Sequence, residues 1–157
     1  MQYQAVVFDM DGVIFDTERL VIEFWKEVAK KHNIPNVEHT CIQCLGTNRV
    51  RTREIFLENY GADFPFDPYR AEVTELFNTH YKGVPLPTKP GVRELLSYLQ
   101  EQDIKVGLAS STAQHLVRDE IGTAGLLPYF QTLVCGDMVE HSKPAPDIFR
   151  QTGWKGS

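Results

Sequence analysis

Three short apolar runs of β-prone residues, separated by segments with helical periodicity, constrain the fold of this chain most strongly. The runs cover residues 5–8, 104–109 and 132–135, and each ends abruptly in polar residues. Strands that alternate with helices along a chain are joined by right-handed crossovers and form a parallel sheet. The pattern therefore predicts an α/β protein with a Rossmann-like parallel sheet.

The segment between the first two runs has a different character. Residues 18–81 show only helical patterns, including a predicted helix over residues 49–60 and another with Asp67 as its N-cap. Two prolines within residues 84–87 then indicate a linker. We therefore predict a core made of residues 1–16 and 86–157, with an inserted α-helical cap over residues 17–85.

Composition limits the classes of partner. The 157 residues are 42% hydrophobic and 24% charged, which is a normal globular balance. The net charge is -5 without a basic stripe, so we expect no nucleic-acid partner. We expect no membrane association and no secretion signal, because no apolar run could cross a bilayer and the N-terminus lacks a signal core. Three cysteines, an odd number, favour a reduced, cytoplasmic protein.

The ends of the predicted strands carry reactive side chains, and this is where open parallel sheets bind ligands. Asp9 and Asp11 follow the first strand, Ser110 follows the second, and the third leads toward Lys143. Two carboxylates in such a position can act as nucleophile and as proton donor. Each feature alone has a plainer explanation, since Asp-x-Asp and Ser occur in turns and most lysines are solvated.

Taken together, the residues around these side chains resemble the haloacid dehalogenase superfamily. Three blocks carry the resemblance, in the superfamily's order: Asp9 through Thr17, Leu108-Ala109-Ser110, and Ser142 through Phe149. They bracket the helical segment where the superfamily has its cap, and the likeness reaches Arg150. The chain is most similar to the branch of β-phosphoglucomutases and phosphoglycolate phosphatase-like enzymes. The second aspartate, absent from the dehalogenases themselves, implies phosphate chemistry.

The resemblance implies a role for each candidate residue. Asp9 would attack phosphorus and form an aspartyl phosphate, and Asp11 would protonate the leaving oxygen and then activate water. Ser110 would hydrogen-bond a phosphoryl oxygen, and Lys143 would offset its charge. Further substrate contacts are expected from Gly12, where the backbone can approach closely, from Ser111 and from Arg49.

Charge repulsion at such a site calls for a cation. At ~4 Å each pair of like charges costs ~4 kcal/mol at an effective dielectric of ~20, and one lysine cannot offset a carboxylate attacking a dianion. A Mg²⁺ ion held by Asp9 could do so, and in the family the main-chain carbonyl at the position of Asp11 is a further ligand. We therefore expect Mg²⁺-dependent hydrolysis of a small phosphomonoester, such as a sugar phosphate.

Two alternatives stay open. The sugar-phosphate mutases of this branch carry a histidine early in the first cap helix, where this chain has Val21, and this favours a phosphatase. Residues 46–49 nevertheless resemble a cap loop whose arginine holds a phosphate in the mutases, although an arginine at a helix start is usually solvated. An inactive fragment or phosphate-binding relic is the other alternative, because Lys143 is followed by only one acid, Asp147.

The superfamily continues beyond the lysine block with a strand that ends in an acidic motif. That motif completes the Mg²⁺ site, and its strand pairs with the strand ending at Asp9. Residues 151–157 contain no such motif. We therefore expect a chain truncated before it, weak Mg²⁺ binding, and self-association through the open edge of the Asp9 strand.

The remaining conspicuous residues are predicted to be structural. Cys41 and Cys44, with His39 nearby, offer too few ligands for a structural zinc site. We expect buried or half-buried thiols there. Phe24 and Trp25 are expected in the core of the cap.

Overall fold

A computed structural model describes residues 4–141 and 146–152, and they fold as an α/β protein. Three parallel strands form the sheet in the order β1-β2-β3, namely β1 (Ala5–Asp9), β2 (Lys105–Ala109) and β3 (Thr132–Val134). The predicted α/β class with a parallel sheet is confirmed.

Helices make up most of the rest of the described chain. They are α1 (Thr17–His32), α2 (Val37–Gln43), α3 (Arg49–Tyr60), α4 (Phe66–His80), α5 (Val92–Glu101), α6 (Gln114–Thr123) and α7 (Asp147–Arg150). Short 3₁₀ turns cover Leu127–Tyr129 and Gly136–Met138. The chain divides into two compact units, a core unit (Met1–Asp16 and Gly83–Ser157) and a helical unit (Thr17–Lys82).

Strand β2 is the buried centre of the core unit. Its residues Val106–Ala109 are buried, whereas all five residues of β1 are half-buried. The register runs from Ala5 opposite Lys105 to Asp9 opposite Ala109. Among the described residues β1 pairs with β2 alone, so β1 lies at the edge of this sheet.

An aromatic cluster forms the core of the helical unit. Trp25 of α1 is 2% exposed and lies between Phe56 of α3 and Phe66 of α4, with ring centroids 4.5 and 5.9 Å away. Phe24 packs edge-on against Phe77 at 5.8 Å. The predicted core positions of Phe24 and Trp25 are therefore confirmed.

One short helix was not predicted, and the N-cap of another was predicted at the wrong residue. Helix α2 was not predicted, because seven residues are too few to show a clear periodicity. Helix α4 begins at Phe66, so Asp67 lies inside its first turn and is not the N-cap. Buried Phe66 fixes the start of the helix, and the Asp67 carboxylate pairs with Arg53 at 3.2 Å. Helix α3, in contrast, has the predicted bounds.

We predict that Trp25→Ala destabilises the helical unit by about 3–5 kcal/mol, because it leaves a large cavity among three helices. Urea unfolding followed by circular dichroism measures the loss. Val50→Ala is the matched control, since Val50 lies in the same unit and is 68% exposed. Equal midpoints for the two variants would contradict this view of the cluster.

Candidate active site

The pairing of β1 with β2 brings the first two candidate residues to one edge of the sheet. Asp9 is the last residue of β1 and lies opposite Ala109, so Ser110 comes one residue beyond this pair on the neighbouring strand. Neighbouring strands are ~4.8 Å apart. The backbone N–H of Met10 donates to Oδ1 of Asp9 at 2.7 Å, which fixes the orientation of the carboxylate.

A tight turn follows Asp9 and presents Asp11 to solvent. The carbonyl of Met10 accepts a hydrogen bond from the Ile14 N–H at 2.9 Å, and the Gly12 N–H donates to the Phe15 carbonyl at 3.0 Å. Met10, Ile14 and Phe15 are buried, whereas Asp11 is exposed. Gly12 has φ 73°, a conformation that favours glycine. Gly12 thus has a conformational role in shaping the turn.

The same turn is hydrogen-bonded to residues 87–89, which precede α5. The Asp16 N–H donates to the Pro87 carbonyl at 3.1 Å, and the Lys89 N–H donates to the Ile14 carbonyl at 2.8 Å. The Lys89 ammonium also lies 3.9 Å from the Asp16 carboxylate. Asp16 therefore contributes to the shape of the loop.

Ser110 is buried at the end of β2, with 1% exposure. Its N–H donates to the Val134 carbonyl at 3.0 Å, and its Oγ accepts from the Thr112 N–H at 3.1 Å. A hydroxyl that accepts one hydrogen bond can still donate its own proton, for example to an oxyanion. Ser111, the next residue, is exposed.

The sequence motifs did not predict that Glu120, on α6, would lie close enough to Asp11 to experience its charge. The pKa of Glu120 is raised to about 7, chiefly by burial and in addition by the negative charges of Asp11 and Asp119. The spacing of acids along the chain gives no sign of this, because Asp11 and Glu120 are more than a hundred positions apart. The end of the sheet therefore has a more negative environment than the sequence motif indicates.

Two other predicted site residues belong to the helical unit or fall outside the described residues. Lys143 belongs to residues 142–145, which the structure does not describe. Arg49 is the first residue of α3 in the helical unit and lines a cavity of about 720 Å³. The charged and polar residues that line the same cavity include Asp67, Arg70, Thr74, Glu75, Asn78 and Lys82.

The thiols of Cys41 and Cys44 belong to the helical unit and are buried and half-buried. Cys41 is 5% exposed, and burial raises its pKa to about 12, while Cys44 is half-buried. The predicted burial of these thiols is confirmed. Within residues 4–141 and 146–152, no group of three or more His, Cys, Asp or Glu side chains could hold a metal ion.

Comparison with known proteins places this fold and site in a family. A family model described as haloacid dehalogenase-like hydrolase matches residues 6–153. A phosphorylated carbohydrates phosphatase of Thermotoga maritima is 32% identical, over 93% of this chain and 67% of its own length. A β-phosphoglucomutase of Bacillus subtilis is 33% identical, over 93% of this chain and 66% of its own length.

A solved structure supports the same placement. The crystal structure of a candidate β-phosphoglucomutase from Thermotoga maritima superimposes with a TM-score of 0.69 at 32% identity, over 93% of this chain and 67% of that one. The chain belongs to the haloacid dehalogenase-like hydrolases, as its motifs predicted. By family it is therefore an enzyme of the hydrolase class, and it spans about two thirds of the length of these relatives. None of the described helices is long and apolar enough to cross a membrane.

We predict that Glu120→Gln raises the melting temperature of the core unit at pH 8 but not at pH 4. Between its unfolded pKa of 4.5 and its folded pKa of about 7, Glu120 binds a proton in the folded state only. Stability is therefore lost as the pH rises through this window, and the neutral amide removes the loss. Because Glu120 is partly exposed, solvent screening reduces the effect, and we expect the melting temperature at pH 8 to rise by about 2 °C.

Differential scanning calorimetry of both proteins from pH 4 to pH 8 measures this effect. Asp119→Asn is the control, because Asp119 is exposed and neighbours Glu120 in sequence. Parallel pH profiles for wild type and Glu120→Gln would show that the pKa of Glu120 is not raised.

Proposed function

We propose that this protein is a Mg²⁺-dependent phosphatase that hydrolyses a small phosphomonoester, such as a sugar phosphate, through an aspartyl phosphate. The observation that carries the proposal is the strand register that places Asp9 and Ser110 at adjacent strand ends. The relatives named above include a phosphatase of phosphorylated carbohydrates, which supports this substrate class.

The proposed reaction has two steps, and Asp9 and Asp11 take part in both. In the first, a carboxylate oxygen of Asp9 bonds to phosphorus as the bond to the leaving oxygen breaks, and Asp11 donates a proton to that oxygen. In the second, water attacks the aspartyl phosphate, Asp11 accepts its proton, and inorganic phosphate leaves Asp9. Ser110 donates its hydroxyl proton to a phosphoryl oxygen. Lys143 is proposed to offset the negative charge, and Ser111 and Gly12 to contact the phosphoryl group.

The residues at the end of β1 fit a weak Mg²⁺ site. Asp9 and the main-chain carbonyl of Asp11 would hold the ion, and Mg²⁺ commonly combines one or two carboxylates with waters and substrate oxygens. When bound, the ion would offset charge on the phosphoryl oxygens. Because the described chain has no larger ligand group, we propose that binding depends on substrate.

The charges around Arg49 support its proposed role in binding substrate. A cation at a helix N-terminus is unfavourable, yet Arg49 opens α3. Burial lowers the pKa of Arg70, the nearby positive charge of Arg49 lowers it further, and the negative charge of Asp67 acts in the opposite direction. Two guanidinium groups thus repel each other at one cavity, and an anionic group of the substrate would relieve that repulsion.

Sugar phosphomutase activity is the second candidate, because a β-phosphoglucomutase is among the relatives. Against it, Val21 packs against the aromatic cluster of the helical unit. An apolar side chain in this position cannot transfer a proton. We therefore rank phosphatase activity above mutase activity.

We also propose a cytoplasmic location, with a small phosphorylated metabolite as partner. Its support is that Cys41, Cys44 and Cys135 are all free thiols, which a reducing compartment preserves. Self-association through the β1 edge stays a prediction.

We predict that Asp9→Asn lowers the rate of phosphate release by at least about 10³-fold, because an amide is a poor nucleophile. Phosphate release from p-nitrophenyl phosphate with Mg²⁺ measures it. Asp103→Asn is the matched control: Asp103 lies at the opposite end of the sheet, where its φ of 55° also suits asparagine. An Asp9→Asn protein with the activity of Asp103→Asn would refute the mechanism.

A separate experiment distinguishes the two candidate activities. We expect inorganic phosphate to be released from β-glucose 1-phosphate or from another sugar phosphate, without formation of glucose 6-phosphate. Phosphorus NMR follows both products in one sample. Isomerisation without phosphate release would reverse the ranking and make the protein a mutase.

A further inference from the structure

The loop after β3 is hydrogen-bonded to the loop after β2. We propose that Gly136 and Asp137, in the loop after β3, are positioning residues for Ser110 and Ser111, in the loop after β2. They hold the loop in the geometry in which it binds a phosphoryl group. This inference rests on the proposed function, and it assigns a part in it to a loop that supplies none of the proposed reacting groups.

Backbone hydrogen bonds connect the two loops at successive points. The Ser110 N–H donates to the Val134 carbonyl at 3.0 Å, and the Gly136 N–H donates to the Thr112 carbonyl at 2.9 Å. Between these points the Thr112 N–H donates to Oγ of Ser110 at 3.1 Å. Ser111 therefore lies in a turn whose two ends, Ser110 and Thr112, are both hydrogen-bonded to β3 or to the loop after it.

Gly136 allows the two loops to come this close. A Cβ at position 136 would lie 2.7 Å from the carbonyl carbon of Ser111 and would overlap its carbonyl oxygen. The obstacle is backbone, which cannot rotate away as a side chain could. Gly136 does not have a positive φ, so its own conformation does not require glycine. The requirement for glycine comes from the neighbouring loop.

Asp137 forms a hydrogen bond at the other end of the loop after β2, where that loop meets α6. Helix α6 follows that loop, and its N-cap residue, Ala113, has no side-chain group that could accept a hydrogen bond. Oδ1 of Asp137 accepts from the N–H of Gln114, the first residue of α6, at 2.9 Å. A carboxylate at a helix N-terminus is also favoured by the helix dipole. Asp137 therefore supplies from another loop the cap that α6 lacks.

The geometric consequence concerns the Ser110 hydroxyl. Its Oγ is fixed by the Thr112 N–H, so a shift of Ser111 moves both residues that flank it. Catalytic groups displaced by about 1 Å can lose about 10²-fold in rate. Substitution of Gly136 should therefore weaken phosphate binding and turnover, even though residue 136 contacts no substrate.

The test compares pairs of matched variants in the whole chain. Gly136→Ala is paired with Gly122→Ala, since no atom lies within 4 Å of a Cβ at position 122. Asp137→Ala is paired with Asp137→Asn, which keeps an oxygen that can accept from Gln114. We measure the Kd of inorganic phosphate with Mg²⁺ by calorimetry, and kcat and KM for p-nitrophenyl phosphate.

We expect Gly136→Ala to raise the Kd of phosphate about 10-fold and to lower kcat/KM by about 10- to 100-fold, while Gly122→Ala stays within about 2-fold of wild type. Asp137→Ala should lower kcat/KM by about 5-fold, and Asp137→Asn should restore most of it. The amide resonances of Ser111 and Thr112 in ¹⁵N spectra should move in Gly136→Ala but not in Gly122→Ala.

The possible results separate this inference from the proposed function. If wild type binds and hydrolyses phosphate esters and Gly136→Ala matches Gly122→Ala, the inference is wrong and the function stands. A lower melting temperature with unchanged Kd and kcat/KM would show a purely structural role and would also overturn it. A wild-type chain that neither binds phosphate nor releases it would overturn both.

Discussion

The backbone pairing of β1 with β2 is the constraint on which the candidate site depends. It fixes which residues reach the same edge of the sheet, because a parallel ladder sets the register for every residue of both strands. Asp9 and Ser110 are thus neighbours although about a hundred residues separate them in the chain. The buried residues of the following turn, Met10, Ile14 and Phe15, then fix the course of the backbone on either side of Asp11. The strand register and the turn after Asp9 together determine where the candidate side chains lie.

Electrostatics explains why such a site is costly to build. Asp9 and Asp11 stand at the end of one strand, and burial together with the charge of Asp11 raises the pKa of a third carboxyl, that of Glu120. Each additional negative charge in this region makes the approach of a phosphate dianion less favourable. A cation bound together with the substrate would offset these charges. This is the physical reason to expect Mg²⁺ at this edge of the sheet, and to expect that its binding depends on substrate.

The sequence predicted those parts of the fold that repeat with a regular period or follow a strand. The three strands, helix α3 and the positions of Asp9 and Ser110 belong to this group, because apolar runs and their polar ends can be read locally. Asp137 and Glu120 were not predicted, since a cap supplied from another loop, and a pKa raised by burial and by a carboxylate far away in sequence, are both tertiary effects. Asp67 was assigned to the wrong role because α4 begins before it, at Phe66, which is buried against Trp25 of another helix. Local propensity is overridden where a long-range contact supplies a better partner.

The loops around the site are held mainly by main-chain groups. Ser110, Thr112, Val134 and Gly136 are connected through N–H and carbonyl groups and one hydroxyl. Such contacts do not depend on the identity of the side chain, so most side-chain substitutions can leave them in place. The exceptions are positions where the backbone leaves no room for a Cβ or where a side chain caps a helix. Gly136 and Asp137 are of these two kinds, so the geometry of these loops depends on two particular residues as well as on main-chain groups.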